Sequence, residues 1–219
     1  MFLVAAATDF EMDAFLRACP PEVPFHSLIT GVGPVEAAVR LTAFVAQSAV
    51  RFQGVVNFGV AGAYCRENGG ADLLDLCLAE REILGDLGVC HGEEIELLRG
   101  ASLEIVDAFE LDRNLLARAA AVLTSNSVPF HCGPFVTVNC VSGSRRRGAL
   151  LAQTHRALCE NMEGAAAARV CQQFALPLLE LRCISNLVED RNLHNWRLRE
   201  ACVRCGEVAA AVVKGLSHG

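Results

Sequence analysis

Apolar runs and amphipathic stretches alternate along the whole 219-residue chain. "FLVAAA", "GVVNFGVAG" and "LLELRC" are short, continuously apolar segments, the pattern of strands buried on both faces. "TDFEMDAFLRAC" instead places Phe10, Ala14, Phe15 and Ala18 at helical spacing. "GVGPVEAAVRLTAFVAQS" turns on Gly31 and Gly33 and then begins a helix, with Pro34 suited to its first turn. "FHSLIT" reads as a further strand, "DRNLLARAAAVLTS" as a helix, and "PFVTVNCVSGS" alternates like a strand. "LDLCLAEREIL" and "SLEIVDAFEL" supply further candidate strands, and "GVVNFGVAG" is expected to end in a glycine-marked bend. The last third repeats the opening order: a helix over 160–174, Pro177, a strand ending near Arg182, a polar loop and a final helix near 197–215.

Strands alternating with helices predict an α/β fold. The expected architecture is a single-domain three-layer α/β/α sandwich over 1–219 with a mixed, largely parallel central sheet. No linker, low-complexity stretch or internal repeat interrupts it. Ligands of such sheets bind beyond the carboxyl ends of the strands, which directs attention to 8–11, 31–34, 59–63, 139–144 and 183–196.

Composition narrows the function. A hydrophobic fraction of 53% indicates a globular chain, and a formal charge of −6 argues against a nucleic-acid surface. Lys214 is the only lysine and lacks upstream glycines, so no GxxxxGK[ST] phosphate loop exists. The apolar N-terminus has no basic segment before it and is followed by Asp9, Glu11 and Asp13. It therefore reads as a first strand and not a signal peptide, and no run approaches a membrane span. Eleven cysteines, an odd number set mostly in apolar segments, read as small buried hydrophobes of a reducing, cytoplasmic protein. Cys202 and Cys205 form the one close pair, without the second pair a metal site needs, so no metal is expected.

The reactive groups in the ligand loops admit two readings each. Glu11 lies just past the first strand, but "TDFE" also fits a capping box on Thr8. Main chain at Gly59, Ala61 and Gly62 would let a flat ligand approach closely, or the glycines mark a bend. "SRRR" at 144–147 reads as a solvated loop whose arginines are also candidates for a substrate carboxylate. Glu160 and Glu163 suit a helix N-terminus, and Glu163 is a candidate partner for Arg182, as a buried ion pair or as part of a cavity.

"ENMEGAAAARVCQQFALPLLELRCISN" resembles the signature of the nucleoside phosphorylase and nucleosidase superfamily, a Met-Glu pair at a helix start followed by Arg-x-x-Ser after the next strand. "AATDFEMDAF", "TGVGPVEAA" and "NFGVAGA" stand upstream in the matching order, so the resemblance spans nearly the whole chain. "AEREILGDLGV" and "RCISNLVEDRNLHNW" are similar to the futalosine hydrolase branch. The resemblance implies that Glu163 meets the ribose hydroxyls, Met162 packs on the sugar, Glu11 positions attacking water and Arg182 organises the acidic pair. It implies that Ser185 and Asn186 face the purine. Adenosine-type nucleosidases have aspartate where Asn186 stands; an amide donates to O6 or N7 of a 6-oxopurine but cannot protonate the base. The stacking aromatic expected near 139–141 is missing, leaving the main chain of Cys140 and Val141 as the base platform. A benzoate at the 5′ side would call for an apolar slot with a cation, for which Arg191, Trp196 and the "SRRR" run are candidates.

The implied activity is hydrolysis of a 6-oxopurine nucleoside, futalosine, on a route to menaquinone, with hypoxanthine released. No cofactor is implied. The implied partners are the small-molecule nucleoside and further copies of the chain in a homodimer or larger assembly, with neither nucleic acid nor membrane. Three alternatives remain: an adenine-directed methylthioadenosine/S-adenosylhomocysteine nucleosidase, a purine nucleoside phosphorylase, and a non-catalytic nucleoside-binding protein.

Overall fold

The computed structural model describes residues 1–65, 70–98 and 104–217. Its strands are β1 (Phe2–Ala6), β2 (Phe25–Ile29), β3 (Val55–Tyr64), β4 (Leu76–Leu84), β5 (Gly88–His91), β6 (Glu94–Leu97), β7 (Ala108–Glu110), β8 (His131–Thr137), β9 (Cys159–Asn161) and β10 (Leu178–Val188). The helices are α1 (Asp9–Ala18), α2 (Pro34–Gln47), α3 (Arg113–Ser125), α4 (Arg145–His155), α5 (Gly164–Gln173) and α6 (Leu198–Ser217). Local chemistry starts several of them. Thr8 and Glu11 complete a capping box on α1, and Pro34 opens α2. Asp112 Oδ1 accepts the Leu115 amide at 2.7 Å to cap α3.

Eight strands form a mixed sheet with helices on both faces, the expected three-layer arrangement. One face packs Phe15, Leu115, Leu123 and α6 residues such as Val212 and Val213 against Val56, Leu179 and Leu181. The other packs Leu41 of α2 and Ala165, Ala167, Ala168 and Val170 of α5 against Leu3, Val55 and Leu178. The small side chains of α5 let it lie close to the sheet. A Cβ on Gly164 would overlap the Glu82 carboxylate of β4.

β3 organises the sheet. One of its edges pairs with parallel β10 along its whole length. The other pairs first with parallel β1, through Asn57, and then with antiparallel β9 at Gly62 and Ala63. β10 continues through β4 and β8 back to β9, so five strands close a ring and β1 and β2 extend from it. Between Asn57 and Gly62 the second edge of β3 has no strand partner, because β1 and β9 diverge there.

Several expectations are corrected. β3 runs straight through Gly59 and Gly62 to Tyr64, since those glycines make room for side chains instead of a bend. Arg182 lies inside β10, not at its end; the strand absorbs Ser185 as a bulge and continues to Val188. Residues 159–161 form β9, so α5 starts at Gly164 and Glu160 sits on a strand instead of a helix N-terminus. "SRRR" is a helix start, with Ser144 Oγ accepting the Arg147 amide at 3.2 Å. The candidate strand "SLEIVDAFEL" survives as β7, while its Ser102 and Leu103 lie outside the described residues. The β5–β6 hairpin was not foreseen.

Candidate active site

The gap in the β3 edge is where polar side chains gather. Val60 there has no strand partner on that side, and its backbone is satisfied by side chains. Its amide donates to Glu11 Oε1 at 3.1 Å, and its carbonyl accepts from Arg182 Nη1 at 3.3 Å. Gly59 makes this possible, since a Cβ on it would come within 2.5 Å of Glu11 Oε1 and 2.7 Å of Arg182 Nη1. Glu11 Oε2 meanwhile accepts from the Thr8 amide at 3.1 Å and hydroxyl at 2.9 Å. Both sequence readings of Glu11 therefore hold together: it is a cap and it faces the cavity.

Arg182 is 2% exposed and held by carboxylates on two sides. Nη2 lies 2.7 Å from Glu180 Oε1, and Nη1 lies 3.4 Å from Glu163 Oε2. Asn57 Nδ2 donates to the second oxygen of Glu180 at 2.8 Å, fixing that carboxylate from below. Glu163 Oε1 accepts the amide of Gly33 at 3.0 Å, and Gly33 adopts φ of 90°, a conformation that favours glycine. The bend before α2 thus reaches across 130 residues to orient the Glu163 side chain. Asn161 Oδ1 takes the amides of Glu163 and Gly164 at 3.0 and 2.8 Å, so the backbone there is locked as well.

Electrostatics follow burial. Burial raises the pKa of Glu11, against the opposing pull of Arg182, Thr8 and the Val60 amide. Burial, reinforced by Glu180, pushes Glu82 up to about 8. Burial also raises Glu180, with Arg182 and Asn57 pulling the other way. For Arg182 burial opposes the charge, but Glu180, Glu163, Glu11 and Glu82 outweigh it and raise its pKa, so the guanidinium stays charged.

Glu11, Val60, Glu163 and Arg182 line one cavity of about 430 Å³, and Glu180 and Glu82 stand behind its wall. Of the residues anticipated from sequence, Glu11, Ala61, Gly62, Val141, Met162, Glu163, Arg182, Ser185, Asn186, Arg191 and Trp196 all line it. Cys140 does not: its amide, like that of Asn139, is drawn to Asp86 Oδ2, which turns this stretch away from the cavity. The wall there is Val141 and Ser142. The "SRRR" arginines are also absent from the lining. Arg146 pairs with Glu93 and Glu94, and Arg147 Nη2 lies 3.8 Å from Asp86. Arg191 instead stacks its guanidinium 5.2 Å from the Trp196 ring at the cavity wall.

Sequence reasoning missed Thr8, Phe10, Val32, Ser142, Glu160, Asn161, Leu198 and Cys202 as lining residues. Glu160 and Asn161 carried a signal, being polar residues between the apolar "ALC" and the Met-Glu pair. Phe10, Val32 and Leu198 are exposed apolar side chains; Phe10 and Val32 fall within the ligand loops 8–11 and 31–34, whereas nothing local marks Leu198. The Asn186 carboxamide accepts from Ser185 Oγ at 3.0 Å, which directs its Nδ2 as the donor, one bond going to the Leu187 carbonyl at 3.3 Å. An acidic pair, a buried cation and a fixed amide around one cavity can bind a polyol, direct a water molecule and donate to a heterocycle.

Known proteins share this arrangement of elements. The phosphorylase superfamily model matches residues 21–217. Futalosine hydrolase of Thermus thermophilus is 33% identical over 180 residues, covering 81% of this chain and 76% of that protein. Futalosine hydrolase of Streptomyces coelicolor is 32% identical over 218 residues, 91% of this chain and 89% of that protein. Among solved structures, a futalosine hydrolase mutant of Helicobacter pylori superimposes with a TM-score of 0.83 at 21% identity, covering 97% of this chain and 98% of that chain. The Helicobacter pylori 5′-methylthioadenosine/S-adenosyl homocysteine nucleosidase gives 0.81 at 20% identity over 97% of each chain. The chain belongs to the phosphorylase superfamily, alongside the futalosine hydrolases that it matches over most of its length.

Proposed function

We propose that this protein is a nucleosidase that hydrolyses the N-glycosidic bond of futalosine and releases hypoxanthine. The carrying observation is that Glu11, Glu163 and Arg182, far apart in sequence, meet at one cavity that Asn186 also lines. The relatives named futalosine hydrolase, at 32% and 33% identity, support the same substrate.

Cleavage develops positive charge on the sugar and negative charge on the departing purine. Glu163, oriented by Gly33 and Arg182, accepts from the ribose hydroxyls and favours the oxocarbenium-like state, with Met162 against the sugar. Glu11 takes a proton from the water that attacks the anomeric carbon, and the pKa that burial raises makes it a stronger base than an ordinary glutamate. Arg182 lets two carboxylates share the site without mutual expulsion. Asn186 donates from Nδ2 to O6 or N7 of the base as charge builds there, and the departing purine anion takes a proton from solvent, to which Glu11 returns the one it took from the water. Phe10, Val32, Leu198 and Trp196 with Arg191 receive the apolar, carboxylate-bearing 5′ substituent. No cofactor enters this scheme.

We place the reaction in menaquinone biosynthesis in the cytoplasm, carried out by residues 1–219 as one nucleosidase domain in a homodimer or larger assembly. The exposed Val32 of the cavity lining and the exposed Val35 and Val39 of α2 support a second copy. Among the described residues no helix is long and apolar enough to cross a membrane.

Phosphorolysis is disfavoured by the two carboxylates at the sugar and by an Arg182 already engaged by Glu180 and Glu163. The deciding assay incubates the protein with futalosine, with and without phosphate, and follows free hypoxanthine by chromatography. Release without phosphate is expected. Strict phosphate dependence would make the protein a phosphorylase, and preferential cleavage of methylthioadenosine would make it adenine-directed.

A further inference from the structure

Glu82 is fully buried on β4, does not line the cavity and takes no part in the hydrolytic scheme. Its carboxyl nonetheless supports the start of α5, the helix whose N-terminal flank is Glu163. Asn161 Nδ2 donates to Glu82 Oε1 at 2.8 Å, and Thr137 Oγ1 lies 2.8 Å from Glu82 Oε2. Asn161 Oδ1 takes the Glu163 and Gly164 amides, and Thr137 Oγ1 takes the Ala165 amide at 2.7 Å. The amides that open α5 therefore go to two neutral side chains, and both of those side chains rest on Glu82.

A proton count separates two states of that carboxyl. Thr137 Oγ1 also lies 3.2 Å from Asn161 Oδ1, and one hydroxyl proton cannot be given to two oxygens. With Glu82 ionised, the Thr137 proton goes to Glu82, and Thr137 and Asn161 face each other oxygen to oxygen with no proton between them. With Glu82 protonated, Glu82 donates to Thr137, Thr137 donates to Asn161, and every contact is a hydrogen bond. The surroundings favour the second state. Glu180 and Arg182 of β10 and the Cys159 thiol of β9 are the charged or titratable groups that act on Glu82. Arg182, the cation among them, is held by Glu180 and Glu163. Phe109 of β7 and Phe135 of β8, paired with Glu82 in the sheet, and Gly164 of α5 bring no charge. A buried carboxylate with no cation in contact is costly, and a proton removes that cost.

We propose that Glu82 is a positioning residue that works as a neutral acid: it donates to Thr137, which turns the Thr137 hydroxyl to Asn161, and together these hold the start of α5 and Glu163 at the sugar. This inference rests on the nucleosidase reading above. Loss of the proton draws the Thr137 hydroxyl back to Glu82 and releases Asn161 Oδ1 on that side. Glu163 is then held less firmly, without any change in the groups that touch the substrate. Since Glu82 is pushed up to about 8, the release falls at mildly alkaline pH.

The test follows kcat/KM for futalosine from neutral to alkaline pH in the wild type, Glu82→Gln, Thr137→Val and Thr137→Ser. The wild type should fall by about 3- to 10-fold as pH rises through the Glu82 value, the worth of one hydrogen bond. In Glu82→Gln the side-chain amide donates to Thr137 at every pH, so turnover should be retained and that fall should vanish. Thr137→Val breaks the relay and should give a low kcat/KM without the fall, and Thr137→Ser should restore both. An alkaline fall identical in the wild type and Glu82→Gln would belong to another group, such as N1–H of the base, and would overturn the proposal. So would a Thr137→Val profile like that of the wild type. Infrared difference spectra of wild type minus Glu82→Gln, taken without substrate, should show a protonated carboxyl band at neutral pH; carboxylate bands there would also overturn it. Calorimetry separates the two readings. Futalosine binding that weakens with pH only in the wild type, without cleavage, would refute the hydrolase and keep the role of Glu82; cleavage with carboxylate bands at neutral pH would do the reverse.

Discussion

One oxygen of Glu11 closes the cap on Thr8 while the other takes the Val60 amide, so helix start and cavity are built by the same carboxylate. Gln also serves at the third position of a capping box, which separates the two roles experimentally. Glu11→Gln should leave the melting temperature nearly unchanged and lower kcat by about 10²- to 10⁴-fold, the usual share of a general base. Unchanged turnover would reduce Glu11 to a cap. Since burial raises its pKa, the carboxylate is lost to protonation at a higher pH than an ordinary glutamate. Activity should therefore fall as the pH drops through that raised value, giving an acid limb in the kcat/KM profile above the ordinary carboxylate range; a limb at or below the range of a free glutamate would count against Glu11 as the base.

Strand β10 shows how one element carries several duties. Leu179, Leu181 and Cys183 join one core, and the alternate positions Glu180 and Arg182 point to the other face. Two charges at i and i+2 on a buried strand survive only as partners, and Asn57 from the neighbouring strand completes the set. Glu180→Ala would strand Arg182 beside a lost counter-charge and should cost about 3–5 kcal/mol in urea unfolding. A loss below about 1 kcal/mol, the scale of a surface pair, would mean the guanidinium finds other support. Further along, the Ser185 bulge advances the register by one, setting Asn186 opposite Gly62 where uninterrupted pairing would have set it opposite Ala63. A one-residue slip exchanges faces, so the bulge is what turns the amide toward the Gly62 side.

For the whole molecule, the concentration of buried carboxylates beneath the cavity links stability to pH. Glu82 is fully buried and its pKa is pushed up to about 8, by burial first and then by Glu180. The folded chain holds this proton between the ordinary carboxylate value of 4.5 and about 8, where the unfolded chain has lost it. Stability from this group is thus complete at acid pH and declines as pH rises across that window. Glu82→Gln should flatten the decline, so that melting temperatures at pH 5.5 and 8.5 differ less than in the wild type. An equal or larger difference would show that Glu82 does not drive it.

The periodicity of the sequence determined the order of strands and helices and the cores on both faces of the sheet, and local motifs gave the caps at Thr8 and Pro34, because each of these is written in neighbouring residues; the Met162–Glu163 and Arg182–Ser185–Asn186 segments were singled out by the resemblance to the superfamily. The error of the periodicity at 159–163 arose because a three-residue strand is too short to show a period, and "SRRR" hid a helix because charged residues in a first turn look like a loop. Tertiary structure alone decided that β1 and β9 part at Val60, that Gly33 aims Glu163, that Cys140 turns to Asp86, and that Glu160 and Asn186 share Gly62. The physical reason is one of range. Propensity and apolar patterning act within a few residues, whereas the worth of a buried charge or amide depends on partners that only the folded sheet brings near.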